Sequence, residues 1–94
     1  MISVLLTGHS GFVGQNFITY FSPYYRIRRQ IKNSKIIIDT HVVAHFAGLS
    51  HDTRGVFSAS DYYKVNFELT KNIFSAFILS DARVFLYISS VKAV

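Results

Sequence analysis

The sequence predicts an α/β fold: a doubly wound parallel sheet with helices on both faces, giving three layers, partial and incomplete at its C-terminal side. Two observations carry this. Strand-length runs at residues 2–6, 42–47 and 84–88 are mostly apolar rather than alternating, with Ser3 and His45 as exceptions, as suits strands buried on both faces. Helical patterns stand between them, and strands that alternate with helices build parallel sheets through right-handed crossovers.

The first run, ISVLL at 2–6, ends at Thr7-Gly8 and reads as a first parallel strand. Phe12, Val13, Phe17, Ile18 and Phe21 follow at helical spacing, and Pro23 should stop that helix near Phe21. Residues 24–30, YYRIRRQ, are rich in β-formers and are bounded by Lys32-Asn33-Ser34, so they read as a second strand. Two apolar runs, 36–38 and 42–47, are separated only by Asp39-Thr40-His41. Parallel neighbours need a crossover of about a dozen residues or more, so 36–38 is a short stub or the lead-in to one strand ending at Ala47. Gly48 closes that strand and 49–57 form a polar loop.

Tyr62, Val65, Leu69, Ile73, Ala76 and Phe77 then recur at helical intervals, opposite Lys64, Glu68 and Lys71. A long amphipathic helix runs from Ser58 to about Leu79, capped by Ser58 or Ser60, with Asp61 in its first turn. Ser80-Asp81-Ala82 turns the chain into a last apolar strand, VFLYISS at 84–90.

Ninety-four residues, half of them apolar, suit a single domain spanning 1–94. With 16% charged residues, intrinsic disorder is excluded. No apolar stretch reaches the roughly 18–20 residues of a membrane span, and the start lacks a basic region, so a cytoplasmic protein without a membrane partner is expected. The absence of Cys excludes disulfides and thiolate metal sites, and no metal site is expected.

The net charge of +5 is local. Arg26, Arg28, Arg29, Lys32 and Lys35 share one ten-residue window without an acid, and the remaining five basic residues balance the five acidic ones. Such a patch can meet a nucleotide phosphate, meet a nucleic acid, or form a solvated strand edge. Nucleic acid is the least favoured of the three.

TGHSGFVG occupies residues 7–14, between a buried strand and a helix N-terminus. There Gly8 permits a tight turn, Gly11 lets backbone approach a pyrophosphate, and Gly14 lets the helix lie close on the strand, while free N–H groups and the helix dipole face the phosphates. Gly8, Ser10, Gly11, Phe12, Val13 and Gly14 are therefore candidate cofactor contacts, with a tight-packing turn as the structural alternative. No Lys-Ser/Thr follows Gly14, which excludes a P-loop.

Together with VVAHFAGL (42–49), DYYKVNFELTKN (61–72) and VFLYISS (84–90), this loop resembles the extended short-chain dehydrogenase/reductases, the NAD-dependent epimerases and dehydratases of nucleotide sugars. The likeness covers nearly the whole chain and is closest to the UDP-hexose 4-epimerase-like branch. It implies a Rossmann-type domain, NAD or NADP as cofactor, and a nucleotide-sugar substrate in the full-length family. It further implies that the backbone of Phe46, Ala47 and Gly48 lines the cofactor's ribose and pyrophosphate, and that Asn66 ties its helix to the central strands. By the same likeness Ser89 approaches the nicotinamide, and Ser90, the candidate catalytic residue, hydrogen-bonds the reacting hydroxyl. The structural alternatives are a small-residue turn at 46–48, a solvent-facing Asn66 and a strand-end Ser90. Thr70 reads as packing and His45 as a satisfied core histidine.

The chain departs from the family in three places. The family's acid/base is the Tyr of Tyr-x-x-x-Lys, but Tyr20, Tyr24, Tyr25, Tyr62, Tyr63 and Tyr87 are followed four residues on by Tyr24, Arg28, Arg29, Asn66, Phe67 and Val91. The chain is accordingly expected to be the N-terminal piece of a larger enzyme, inactive alone, with the substrate domain absent. Only some twenty residues separate the first helix from the strand at 42–47, too few for another strand, helix and strand. Finally, where the family often carries an acid on the adenosine ribose, this chain offers Arg28 and Arg29, and Asp39 reads as a turn residue.

Two alternatives to an enzyme fragment stand beside it: a non-catalytic dinucleotide-binding or scaffolding module, and a small basic nucleic-acid-binding domain resting on residues 26–35 alone. Strong salt dependence of oligonucleotide binding would mark the latter. The apolar strand at 84–88 is expected to leave an uncovered edge, so a homodimer or swapped oligomer is anticipated.

Overall fold

The computed structural model describes residues 1–31, 34–46 and 59–88. Its elements are β1 (Ser3–Thr7), α1 (Phe12–Phe21), β2 (Arg26–Arg29), β3 (Val42–His45), α2 (Ala59–Ile78) and β4 (Val84–Tyr87). All strand pairs are parallel, in the order β2-β1-β3-β4. Among the described residues the predicted α/β architecture is present, a four-stranded parallel sheet with two helices.

Doubly winding follows from the strand order. The chain steps from β1 to β2 on one side and returns past β1 to β3 on the other, and connections of constant hand that reverse direction must cross opposite faces. The packing shows both faces covered. Val4, Leu6, Ala44 and Phe46 form one buried cluster against Val13, Phe17 and Ile18 of α1. Leu5, Val43 and Ile73 form the other, joined by Leu69 and Phe77 of α2 and by Ile36, Ile38 and Phe85. Alternate β1 residues thus enter opposite cores, which is why Val4, Leu5 and Leu6 are consecutive apolar residues.

The β2–β3 connection holds no helix among its described residues. The run at 36–38 is neither a stub in the sheet nor part of β3. Ile36 and Ile38 lie outside the sheet and cover its α2 face, the work a crossover helix would otherwise do. The second strand is also shorter than the expected 24–30. The amides of Tyr24 and Tyr25 both donate to the Phe21 carbonyl at 2.9 Å, so the helix exit occupies those residues and pairing starts at Arg26. Its end is fixed by the Gln30 amide, which donates to Leu6 O at 2.8 Å.

β4 is asymmetrically covered. On the α2 face Phe85 packs edge-on to Phe74 (ring centroids 5.2 Å apart) and against Phe77 (5.3 Å). On the α1 face Val84 and Leu86 remain 51% and 43% exposed. An open apolar groove of about 590 Å³ runs there between α1 and β4, lined by Phe12, Val13, Phe17, Tyr20, Leu86 and Ile88 among others. Among the described residues, no helix is long and apolar enough to cross a membrane.

Candidate functional site

Strand order reverses between β1 and β3, and in open α/β sheets the crevice outside the strand C-termini at such a point is where ligands bind. Two strand ends meet there in register, Thr7 beside His45. The glycine loop leaves one of them and Phe46 leaves the other.

Gly8 adopts φ 76°, a left-handed conformation that side chains rarely tolerate, and so makes the turn out of β1. Gly14 is buried in the first turn of α1, where a Cβ would fall 2.0 Å from Gly8 O and 2.9 Å from His9 Cα. These two glycines are explained by the fold itself. Gly11 is not. It is extended (φ −76°, ψ 170°), a conformation any residue adopts, and a Cβ there would meet only Gly8 O, at an ordinary 3.5 Å.

Gly11 is also the N-cap of α1 and supplies no side-chain acceptor, and no acid stands in the first turn. The amides of Phe12, Val13 and Gly14 belong to the helix end that has no intrahelical acceptor, and the helix dipole adds partial positive charge. Gln15 Nε2 donates to Ser10 O at 2.8 Å, and the Gly11 amide donates to Gly8 O at 3.2 Å, so the loop is braced from within. Phe12 is 84% exposed beside it.

Behind the loop lies a buried polar chain. The Phe46 amide donates to Thr7 O (3.2 Å) and to Thr7 Oγ1 (3.1 Å); Thr7 Oγ1 lies 2.6 Å from His45 Nδ1, and His45 Nε2 lies 2.9 Å from Thr70 Oγ1. Both ring nitrogens of the fully buried His45 are satisfied, and the ring stacks on Tyr87 at 5.6 Å. Burial lowers its pKa to about 4, so it is neutral. His45 is the core histidine that its pattern suggested. Thr70, read as packing, is a hydrogen-bonding partner in this chain. Asn66, half-buried one turn nearer the α2 N-terminus, stands on the same helix face towards the crevice. The Phe46 amide is consumed by Thr7 and its ring packs against Phe17 at 5.5 Å, so its side chain belongs to the core and its N–H is already used.

The two arginines divide as strand alternation requires. Arg28 pairs in register with Leu5, on the α2 face, and Arg29 with Leu6, on the α1 face. Arg28 Nη2 binds Asp39 Oδ1 at 2.9 Å and the Ile37 carbonyl. It is therefore engaged, and Asp39 is more than a turn residue: it is the partner of Arg28. Arg29 is exposed and has no hydrogen-bond or ion-pair partner among the described residues. Ala47, Gly48, Ser89 and Ser90 lie outside the described residues.

The Thr7–His45–Thr70 chain and the Arg28–Asp39 pair are tertiary contacts that local sequence patterns do not specify. Only the lone polar residue in the apolar run VVAHF pointed to the first.

A family model described as the NAD dependent epimerase/dehydratase family matches residues 24–94. No curated protein and no solved structure matches the chain.

Proposed function

The chain belongs to the NAD dependent epimerase/dehydratase family, and from that premise we propose that residues 1–94 are the N-terminal part of an NAD(P)-binding Rossmann domain whose glycine loop holds the dinucleotide pyrophosphate. The observation that carries this is Gly11: nothing in the fold excludes a side chain there, so its bare backbone leaves space in which an outside group could approach the loop. The uncapped amides of the first α1 turn offer that group hydrogen bonds and partial positive charge.

Each residue has a proposed task. Gly8 and Gly14 shape the loop, Gln15 fixes Ser10, and the amides of Phe12, Val13 and Gly14 donate to phosphate oxygens. By the family likeness Ala47 and Gly48 would line the ribose, Asn66 would secure α2 beside the crevice, and Ser89 and Ser90 would serve the reacting end. A nicotinamide held there would supply the hydride acceptor and donor for a hydroxyl-bearing carbon. A nucleotide sugar is the proposed substrate of the full-length family member. No Tyr of this sequence is followed four residues on by Lys, so the proposed role of these residues is binding and positioning, not turnover.

The test is thermal. A ligand that binds only the folded state stabilises it by about 2.7 kcal/mol at a hundred times its Kd. NAD(H) or NADP(H) should therefore raise the melting temperature in a concentration-dependent way, and no shift at millimolar dinucleotide would refute the site.

We further propose that copies of the chain associate through β4. The β2 edge carries Arg26, Arg28 and Arg29, charges of the kind that discourage edge pairing, whereas VFLY carries none and leaves Val84 and Leu86 exposed.

A further inference from the structure

Resting on the dinucleotide site proposed above, we infer that Arg29 selects for a 2′-phosphate on the adenosine ribose, so that this chain prefers NADP(H) to NAD(H). The family's description names NAD; the residues around the end of β2 point the other way.

NAD recognition in this fold uses a carboxylate that accepts a hydrogen bond from the ribose 2′-hydroxyl, and the same carboxylate would repel a phosphate in that position. No Asp or Glu occurs in residues 1–38. The first acid, Asp39, binds Arg28 at 2.9 Å from the α2 side of the sheet. The first carboxylate of the chain is thereby committed to Arg28.

Arg29 has the opposite placement. It pairs with Leu6, and the two residues after Leu6 are Thr7 and Gly8, the start of the glycine loop. Leu6 lies under α1, so Arg29 shares the face whose helix N-terminus would hold the pyrophosphate. Its guanidinium is exposed and has no partner among the described residues, while the Arg28 guanidinium one residue away is paired. A free guanidinium at the C-terminal end of β2, on the α1 face of the sheet, matches a phosphate dianion in charge and in its fork of donors. Of the two arginines, only Arg29 is both free and on the correct face.

The experiment titrates the 94-residue protein with NADPH and NADH, and with 2′,5′-ADP and 5′-ADP as probes lacking nicotinamide, reading intrinsic fluorescence or heat. The inference expects NADPH to bind roughly ten- to a hundredfold more tightly than NADH, the range of one charge-assisted bond, and 2′,5′-ADP to outcompete 5′-ADP similarly. Arg29→Ala should bring both ratios close to one without weakening NADH. Arg29→Lys should keep part of the preference, and Arg28→Ala should leave the ratio intact. NADH binding at least as tightly as NADPH, a ratio that survives Arg29→Ala, or a ratio lost in Arg28→Ala instead would each overturn the inference while leaving the dinucleotide site standing. Binding of neither cofactor would overturn the site itself, and the inference with it.

Discussion

Thr7 Oγ1 and His45 Nδ1, 38 residues apart in sequence, lie 2.6 Å apart in the buried space between the two strand ends that flank the site. Thr7 is the residue before the first loop glycine, and His45 passes the connection on to Thr70 in α2. The start of the glycine loop is thus anchored to both β3 and the helix on the far face by one neutral imidazole.

That imidazole gives stability a pH dependence of definite sign. Its folded pKa, about 4, is below the ordinary 6.5, so the unfolded chain binds the extra proton first. The contribution is fully present above pH 6.5 and is lost as pH falls from 6.5 towards 4, and the shift corresponds to about 3 kcal/mol. Denaturant melts of the parent between pH 7.5 and 4.5 should show this loss. A His45→Gln variant should be less stable at neutral pH and show a flatter slope; an equal slope in both would exclude His45 as the source.

Gly14 and Gly11 should respond oppositely to substitution. Alanine at position 14 would gain about 1 kcal/mol of helix propensity, but its Cβ would stand 2.0 Å from the Gly8 carbonyl oxygen, backbone that cannot move aside cheaply. Overpacking of roughly 1–3 kcal/mol or more outweighs the gain. Gly14→Ala should melt lower than the parent, and Gly11→Ala within a few degrees of it.

Self-association through β4 should depend on Leu86. A lysine there would place a charge on the exposed apolar face of the edge strand without entering the core, since Leu86 is 43% exposed. Light scattering should give an assembly larger than a monomer for the parent and a monomer for Leu86→Lys. A parent that stays monomeric at high concentration would contradict this assignment.

The purified 94-residue chain should not turn over nucleotide sugars. A positioned acid/base contributes about 10²- to 10⁴-fold, and none of the six tyrosines has the lysine partner four residues on. Turnover that responds to Ser90→Ala would show that another group supplies the proton.

The strands and helices were legible because their signals are local. Apolar-rich, non-alternating runs marked β1, β3 and β4, and the spacing of Val65, Leu69, Ile73 and Phe77 marked α2 to within a residue or so at each end. The glycine triplet between strand and helix was equally plain, and so were the distinct demands at Gly8 and Gly14. The role of 36–38 was not, because IIID reads alike as a strand or as an apolar cover, and only the strand order decides. The fate of the arginines was half legible: alternation put them on opposite faces, but the choice between them rests on Asp39, whose reach to Arg28 is a tertiary fact.

The most direct measurement is a dinucleotide titration of the parent against Gly11→Val, with melting curves alongside. Position 11 is extended and open, so valine should cost the fold no more than about 1 kcal/mol as a poorer cap, while its side chain would occupy the space through which a pyrophosphate reaches the α1 amides. The account predicts saturable binding of NAD(P)H to the parent and at least a hundredfold weaker binding to a well-folded Gly11→Val. Equal binding by both proteins would contradict it.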